Sequence, residues 1–304
     1  MFCKRTFIYF VVLLFPLFLF SCGETEPEDS DKPDDTEAEH LTLVYAVNRS
    51  SLRNDFSRDS LEMMQALDQI ADPSGRFLVY YTDISGNRCG LHEAVERNGR
   101  YALSMEPLRE YPRDITSTHP TRIKHVIEDA LSVYPDIPAS LFFWGHGTSW
   151  TPEFSDNIVK STKATTAGNI AGGKAPKKKA YGGEYAGELG DRKNLAWTDV
   201  VELAAAIPSG RFETIWFDCC YMSSIEILYE FRDKCRWFVG YPTEVWQYGL
   251  PYDLVLPLMY SVNPRREEAA KVFFDYYYSS GEPVTVAVSD MSRLEYVADV
   301  AARI

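Results

Sequence analysis

Thr214-Ile215-Trp216-Phe217-Asp218-Cys219-Cys220-Tyr221-Met222 is an apolar run that stops abruptly in an acid and two cysteines. A short unbroken apolar run bounded by polar residues reads as a strand buried on both faces. A second such run, Ser140-Leu141-Phe142-Phe143-Trp144, ends in Gly145-His146-Gly147. Residues 41–47 and 77–82 repeat the pattern, and 237–241 and 284–289 supply a fifth and a sixth strand. Helical periodicity fills the intervals at 59–70, 119–133, 197–207 and 223–234, with a last helix from Ser292. Thr118 stands as a cap with Pro120 in the first turn, and Thr198 or its neighbour caps the third helix. Strands alternating with helices imply an α/β fold with a mostly parallel sheet covered on both faces.

In such sheets ligands collect beyond the carboxyl ends of the strands. If 140–144 and 214–218 are neighbours, His146 and a cysteine sit side by side. Side chains alternate along an extended strand, so Asp218 and Cys220 project to one side and Cys219 to the other, where it packs as a core thiol. Cys220 is then the candidate nucleophile, favoured as thiolate by the adjoining helix, and His146 the acid/base group for acyl transfer. Gly147 lets a substrate backbone approach and frees its amide for an oxyanion. Asp218 is placed to bind a cationic side chain. Taken singly, His146 and Cys220 read more simply as buried core residues; their joint position at two strand ends argues otherwise.

These residues resemble the clostripain-type cysteine peptidases, whose fold is related to the caspases and gingipains. The resemblance rests on the apolar strand into Gly145-His146-Gly147, on Asp218, Cys220, Met222 and Glu226 in Asp-x-Cys-x-Met-x-x-x-Glu, and on Gly249-Leu250-Pro251-Tyr252. It extends from about Leu41 to the end. It implies a caspase-like three-layer sandwich on a mostly parallel six-stranded sheet, and hydrolysis of peptide bonds after Arg or Lys. Cys220 would attack the carbonyl, His146 would protonate the leaving amine, and the amides of Gly147 and Cys220 would hold the oxyanion. Asp218 would line the pocket for the basic side chain. The chemistry needs no cofactor and no third catalytic residue; some members respond to calcium, and many cut themselves between the His and Cys strands. One departure is Val245-Trp246-Gln247-Tyr248, where relatives often carry an acid that helps bind the cation.

Away from the strands, Lys4 and Arg5 precede an apolar run from Phe7 to Phe20 that ends in Ser21-Cys22. Residues 1–22 read as a bacterial lipoprotein signal with Cys22 as the lipidated residue, against the plainer readings of an ordinary cleaved signal or an anchor helix. Residues 23–40 hold nine acids against Lys32 and read as a flexible tether, so the net charge of −13 says little about the body. The expected location is the cell envelope, anchored to the outer membrane or cell surface by lipid. Residues 41–304 form one domain, with an aperiodic, lysine-bearing insertion at 151–190 whose Lys177, Lys178 and Lys179 are the expected self-cleavage positions. The chain stops soon after its sixth strand, so a further segment is an expectation. Cys219-Cys220 lacks metal-ligand spacing, and no basic patch with interleaved aromatics suits nucleic acid. Protein or peptide substrates are the expected partners. The competing reading is a catalytically silent lipoprotein that keeps the fold as a binding or structural module.

Overall fold

The computed structural model describes residues 37–70, 72–83, 85–149 and 181–303. The chain divides into a unit of residues 1–32 and a unit of residues 33–304. The first lies outside the described residues, and the second holds every described strand and helix. Cys22, nearly all of the tether and the lysines from Lys160 to Lys179 also lie outside the described residues.

The central strands are β1 (His40–Ala46), β6 (Ala139–Trp144) and β10 (Phe212–Asp218), which are almost wholly buried and mutually parallel. Their continuous apolar sequence follows from having a covered layer on each face. β11 (Cys235–Gly240) pairs parallel with β10, and β12 (Ala287–Asp290) antiparallel with β11. β2 (Gly75–Thr82) lies on the other side of β1. The six strands read from sequence are therefore six consecutive neighbours, β12-β11-β10-β6-β1-β2.

The sheet does not stop at six. β3 (Cys89–Arg97), β4 (Arg100–Leu103) and β5 (Arg109–Tyr111) extend it antiparallel beyond β2 to nine strands. A separate three-stranded sheet joins β7 (His146–Gly147), β8 (Tyr181–Tyr185) and β9 (Leu195–Thr198). The expected insertion to residue 190 is thus too long, because 181–185 is a fully buried strand. The tether likewise ends before His40, which opens β1.

Alternation along the strands divides the core into two layers. Leu43, Tyr45, Phe143, Ile215 and Phe217 meet Ile123 and Val126 of α2 (Pro120–Val133), Leu203 of α3 (Val200–Ala205), Ile227 of α4 (Ile225–Glu230) and Leu294 of α7 (Leu294–Ala301). On the opposite face Val44, Phe142, Trp144 and Trp216 meet Phe56 and Met63 of α1 (Arg53–Leu67), Val255 of α5 (Tyr252–Met259) and Phe273 of α6 (Arg266–Ser279). The result is a three-layer α/β/α sandwich.

Element bounds depart from the sequence reading in instructive places. α1 starts at Arg53, well before the expected Asp59. Trp197 and Thr198 belong to β9, so α3 begins only after Asp199, whose carboxylate accepts from the Val201 amide. His119, not Thr118, caps α2, its ring accepting from the Thr121 amide at 3.2 Å. Thr118 instead gives its carbonyl to the Thr198 hydroxyl and so ties α2 to β9.

Candidate active site

Register brings the chemistry together. Ala46 pairs with Trp144 and Trp144 with Asp218, so β1, β6 and β10 end level. The Gly145 amide then reaches the Asp218 carbonyl at 3.4 Å, and the chain turns into β7. A side chain on Gly147 would place its Cβ 2.3 Å from the Cys220 carbonyl oxygen and 3.0 Å from Cys219 Cβ. Only glycine lets the His146 strand lie this close to the backbone of Cys219 and Cys220.

A cleft of about 190 Å³ opens there, lined by His146, Asp218, Cys220, Asp59, Val245 and Gln247 among others. Cys219 is turned away: it is 2% exposed, belongs to the core layer under α2 and α3, and its thiol points to the Phe143 carbonyl at 3.4 Å. Tyr221, at φ 62°, takes the left-handed conformation immediately after Cys220, with its amide bonded to the Thr243 carbonyl. Strain of that kind in a non-glycine residue persists only where the surroundings enforce it, and it tends to cluster at functional sites.

The Cys220 thiol is seated on the loop after β11. Sγ lies 3.6 Å from the Val245 carbonyl, and the Val245 amide donates to it at 3.4 Å. Its described hydrogen bonds go to Val245 and not to His146. Burial pushes the thiol above its usual pKa; the Val245 amide opposes this, and the negative charges of Glu244 and Asp218 add to it. The expected help from the adjoining helix does not materialise, because α4 starts five residues later at Ile225 and has only six residues. The resting pair is a neutral thiol and, since burial lowers the His146 pKa against the pull of Asp55, a neutral imidazole.

His146 Nε2 sits 2.9 Å from the Ser51 hydroxyl, which stands between β1 and α1. Ser51 therefore fixes one ring nitrogen and leaves Nδ1 for the cleft.

Asp218 is held from two sides. Its Oδ2 accepts from the Leu250 amide at 3.2 Å and from the Tyr252 hydroxyl at 3.1 Å, while Oδ1 accepts no hydrogen bond among the described residues. Gly249, at φ 61°, brings the loop within reach. Burial raises the Asp218 carboxyl to about 6, those two donors holding it down. Asp59 is the second acid of the cleft and comes from α1, a source the strand-end argument does not consider. It accepts from the Trp144 indole at 2.8 Å and pairs with Arg58 at 2.7 Å. Burial, then the proximity of Asp218, raises its carboxyl to about 7. A sequence signal for it existed: Phe56 and Met63 lie at i−3 and i+4, which puts Asp59 on the buried face of α1. Arg58 also donates to the Tyr248 carbonyl at 3.1 Å and lies over its ring at 5.3 Å, fastening the 244–249 loop to α1. Among the described residues no three His, Cys, Asp or Glu side chains gather as a metal site.

Residues 190–304, the part that bears Asp218 and Cys220, match the Clostripain family of peptidases. No curated protein matches the chain. Among solved structures, a secreted C11 cysteine protease of Bacteroides thetaiotaomicron, in complex with an irreversible peptide inhibitor, superposes with a TM-score of 0.68 at 24% identity, over 86% of this chain and 69% of that one. A second structure of a secreted C11 protease from that organism, named iotapain, gives 0.69 at 22% identity over 87% and 69%. An inactive zymogen C11 protease of Parabacteroides distasonis gives 0.68 at 22% identity, over 88% of this chain and 66% of that one. At these identities the structures speak for the fold, and the chain spans about two thirds of their length. The family match over the segment that bears Cys220, set in a fold shared with C11 proteases, makes this chain similar to the clostripain-family cysteine peptidases.

Proposed function

We propose that the protein is an exported, envelope-anchored endopeptidase that cleaves after Lys or Arg. The observation that carries this reading is one cleft lined by Cys220, His146 and two buried carboxylates. A Lys or Arg side chain entering it meets Oδ1 of Asp218, which accepts no hydrogen bond among the described residues, with Asp59, whose charge is shared with Arg58, beside it. That second acid answers the missing one in the 245–248 stretch. Binding a cation drives both carboxyls to their ionised forms, since an opposite charge favours the charged state.

The substrate backbone displaces the thiol from the Val245 carbonyl. His146 Nδ1 takes the thiol proton as Sγ bonds to the scissile carbonyl carbon, and the oxyanion accepts from the amides of Gly147 and Cys220. The carbon–nitrogen bond then breaks, and His146 returns the proton to the leaving amine. Water, activated by the same imidazole, hydrolyses the thioester.

Peptidyl coumarin amides ending in Lys, Arg, Ala or Asp test this reading. The wild type is expected to turn over the first two, Cys220→Ala none, and Cys219→Ala most of the wild-type rate. Asp218→Ala is expected to lose about 2–5 kcal/mol in kcat/KM on the basic substrates. Preference for Ala or Asp in the wild type, or equal loss in the two cysteine variants when both are folded, overturns the assignment.

Lipidation at Cys22 and self-cleavage at Lys177, Lys178 or Lys179 belong to the same proposal. The secreted relatives support export of this chain. Intact masses of wild type, Cys22→Ser and Cys220→Ala read both events. An unlipidated wild type rejects the anchor, and identical nicking in wild type and Cys220→Ala rejects self-processing.

A further inference from the structure

His146 lines two clefts, not one. On its other side from the Asp218 cleft, a hollow of about 280 Å³ is bounded by Ser51, Tyr185, Leu195, Trp197 and Arg192. It is built from β8, β9 and the turn between them, and the fit to His146 is close. A Cβ on Gly183 would stand 3.0 Å from His146 Cδ2 and 3.3 Å from the Trp197 ring, so glycine, at φ 74°, lets both rings come together. The His146 and Trp197 ring centroids are 6.4 Å apart. Arg192 is exposed, and its guanidinium makes no hydrogen bond or ion pair among the described residues.

The reaction gives this hollow a direction. With the basic side chain in the Asp218 cleft, the acyl half of the substrate lies on the Cys220 side of the imidazole. The amine receives its proton from His146 Nδ1 and then departs along the imidazole, away from Cys220 and toward the second hollow that the same residue lines. A peptide leaving there carries its first side chain past Trp197 and Leu195 and its next toward Arg192.

We propose that this hollow is a leaving-side subsite: it takes an aromatic or branched aliphatic side chain directly after the scissile bond and an acidic side chain at the next position. The proposal rests on the peptidase reading. Trp197 offers a large apolar face, and Arg192 an uncompensated cation suited to a carboxylate. An exposed pair of this kind contributes up to about 1 kcal/mol, which corresponds to about fivefold in kcat/KM.

Internally quenched peptides identical up to Lys and continuing Phe-Asp, Phe-Lys or Gly-Asp test it, alongside a Lys coumarin amide that has no residues beyond the scissile bond. The wild type is expected to prefer Phe-Asp over Phe-Lys about fivefold and over Gly-Asp by at least as much. Arg192→Glu is expected to reverse the first preference, and Trp197→Ala to erase the second. Because Arg192 is exposed and Trp197 is packed, the Arg192 variant keeps the test valid if Trp197→Ala does not fold. Turnover of the coumarin amide with no discrimination among the peptides, or discrimination that Arg192→Glu leaves unchanged, overturns the subsite while the peptidase reading stands. No turnover of the coumarin amide by the wild type overturns the peptidase reading, and the subsite with it.

Discussion

Ser51 makes the most direct contact with the proposed catalytic base, through a hydroxyl 2.9 Å from His146 Nε2. In the imidazolium form both ring nitrogens donate, so Ser51 accepts and stabilises the proton that the leaving amine will need. Ser51→Ala is expected to lower kcat about tenfold with little change in KM, the equivalent of one hydrogen bond to a charged group at roughly 1.5 kcal/mol. Its acidic limb should move to lower pH, because the imidazolium loses a stabilising acceptor; Ser51→Thr should restore much of both. An unchanged pH profile in Ser51→Ala would show that the contact is incidental. His146, Cys220 and Asp218 are legible in the sequence because strand ends in a parallel sheet form one edge. Ser51 and Asp59 are not, since their elements meet that edge only through tertiary packing. Asp59 nonetheless carries its own mark in the helical spacing with Phe56 and Met63.

At the level of elements, the approach of β7 to the turn after β10 depends on one missing side chain. Gly147→Ala would set a methyl 2.3 Å from a backbone oxygen, which cannot rotate away as a flexible side chain could. The expected cost is about 1–3 kcal/mol in stability together with loss of activity of at least a hundredfold, read by thermal unfolding and by coumarin amide hydrolysis. Full activity in the variant would mean that β7 has room to move. The buried strands β1, β2, β6, β10 and β11 are readable because a strand covered on both faces is apolar throughout, whereas β12 is a half-buried edge strand. The antiparallel edge is harder: β3 and β4 carry Glu96, Arg97 and Arg100, and part of the surface they form is solvated. Yet the hairpin between them has a local signal in Asn98-Gly99, both with positive φ. α5 and α6 come after Gly249-Leu250-Pro251-Tyr252, a stretch that speaks of the site more loudly than of the helix it opens. Trp197 misleads because a helical spacing to residue 207 continues through a residue that packs in a strand.

For the whole molecule, the two cleft carboxyls set an unusual dependence of stability on pH. Their folded pKa values, about 7 for Asp59 and about 6 for Asp218, lie above the unfolded 3.8. Their contribution to stability is therefore complete below about pH 4 and is lost as pH rises through 6 to 7. His40 and His92, both lowered by burial, act in the opposite sense and cost stability as pH falls below 6.5. The Tm is expected to fall between about pH 4 and pH 7 and to level off above it, less steeply in Asp218→Asn, and a Lys- or Arg-mimicking inhibitor should flatten the slope. A Tm that rises over that interval in the wild type would mean the pair is ionised at neutrality without a guest. The same two groups predict that KM for basic substrates rises as pH drops from 7.5 to 5.5, the pair titrating together. The pairing of β7 with β8 has a further consequence. Every break between residues 150 and 180 parts His146 from Cys220 onto separate polypeptides, yet β6 against β10 and β7 against β8 still join them. The protein is thus divisible by design of its sheet: two separately encoded halves, expressed together, should find each other and reconstitute a working pair, which neither half supplies by itself.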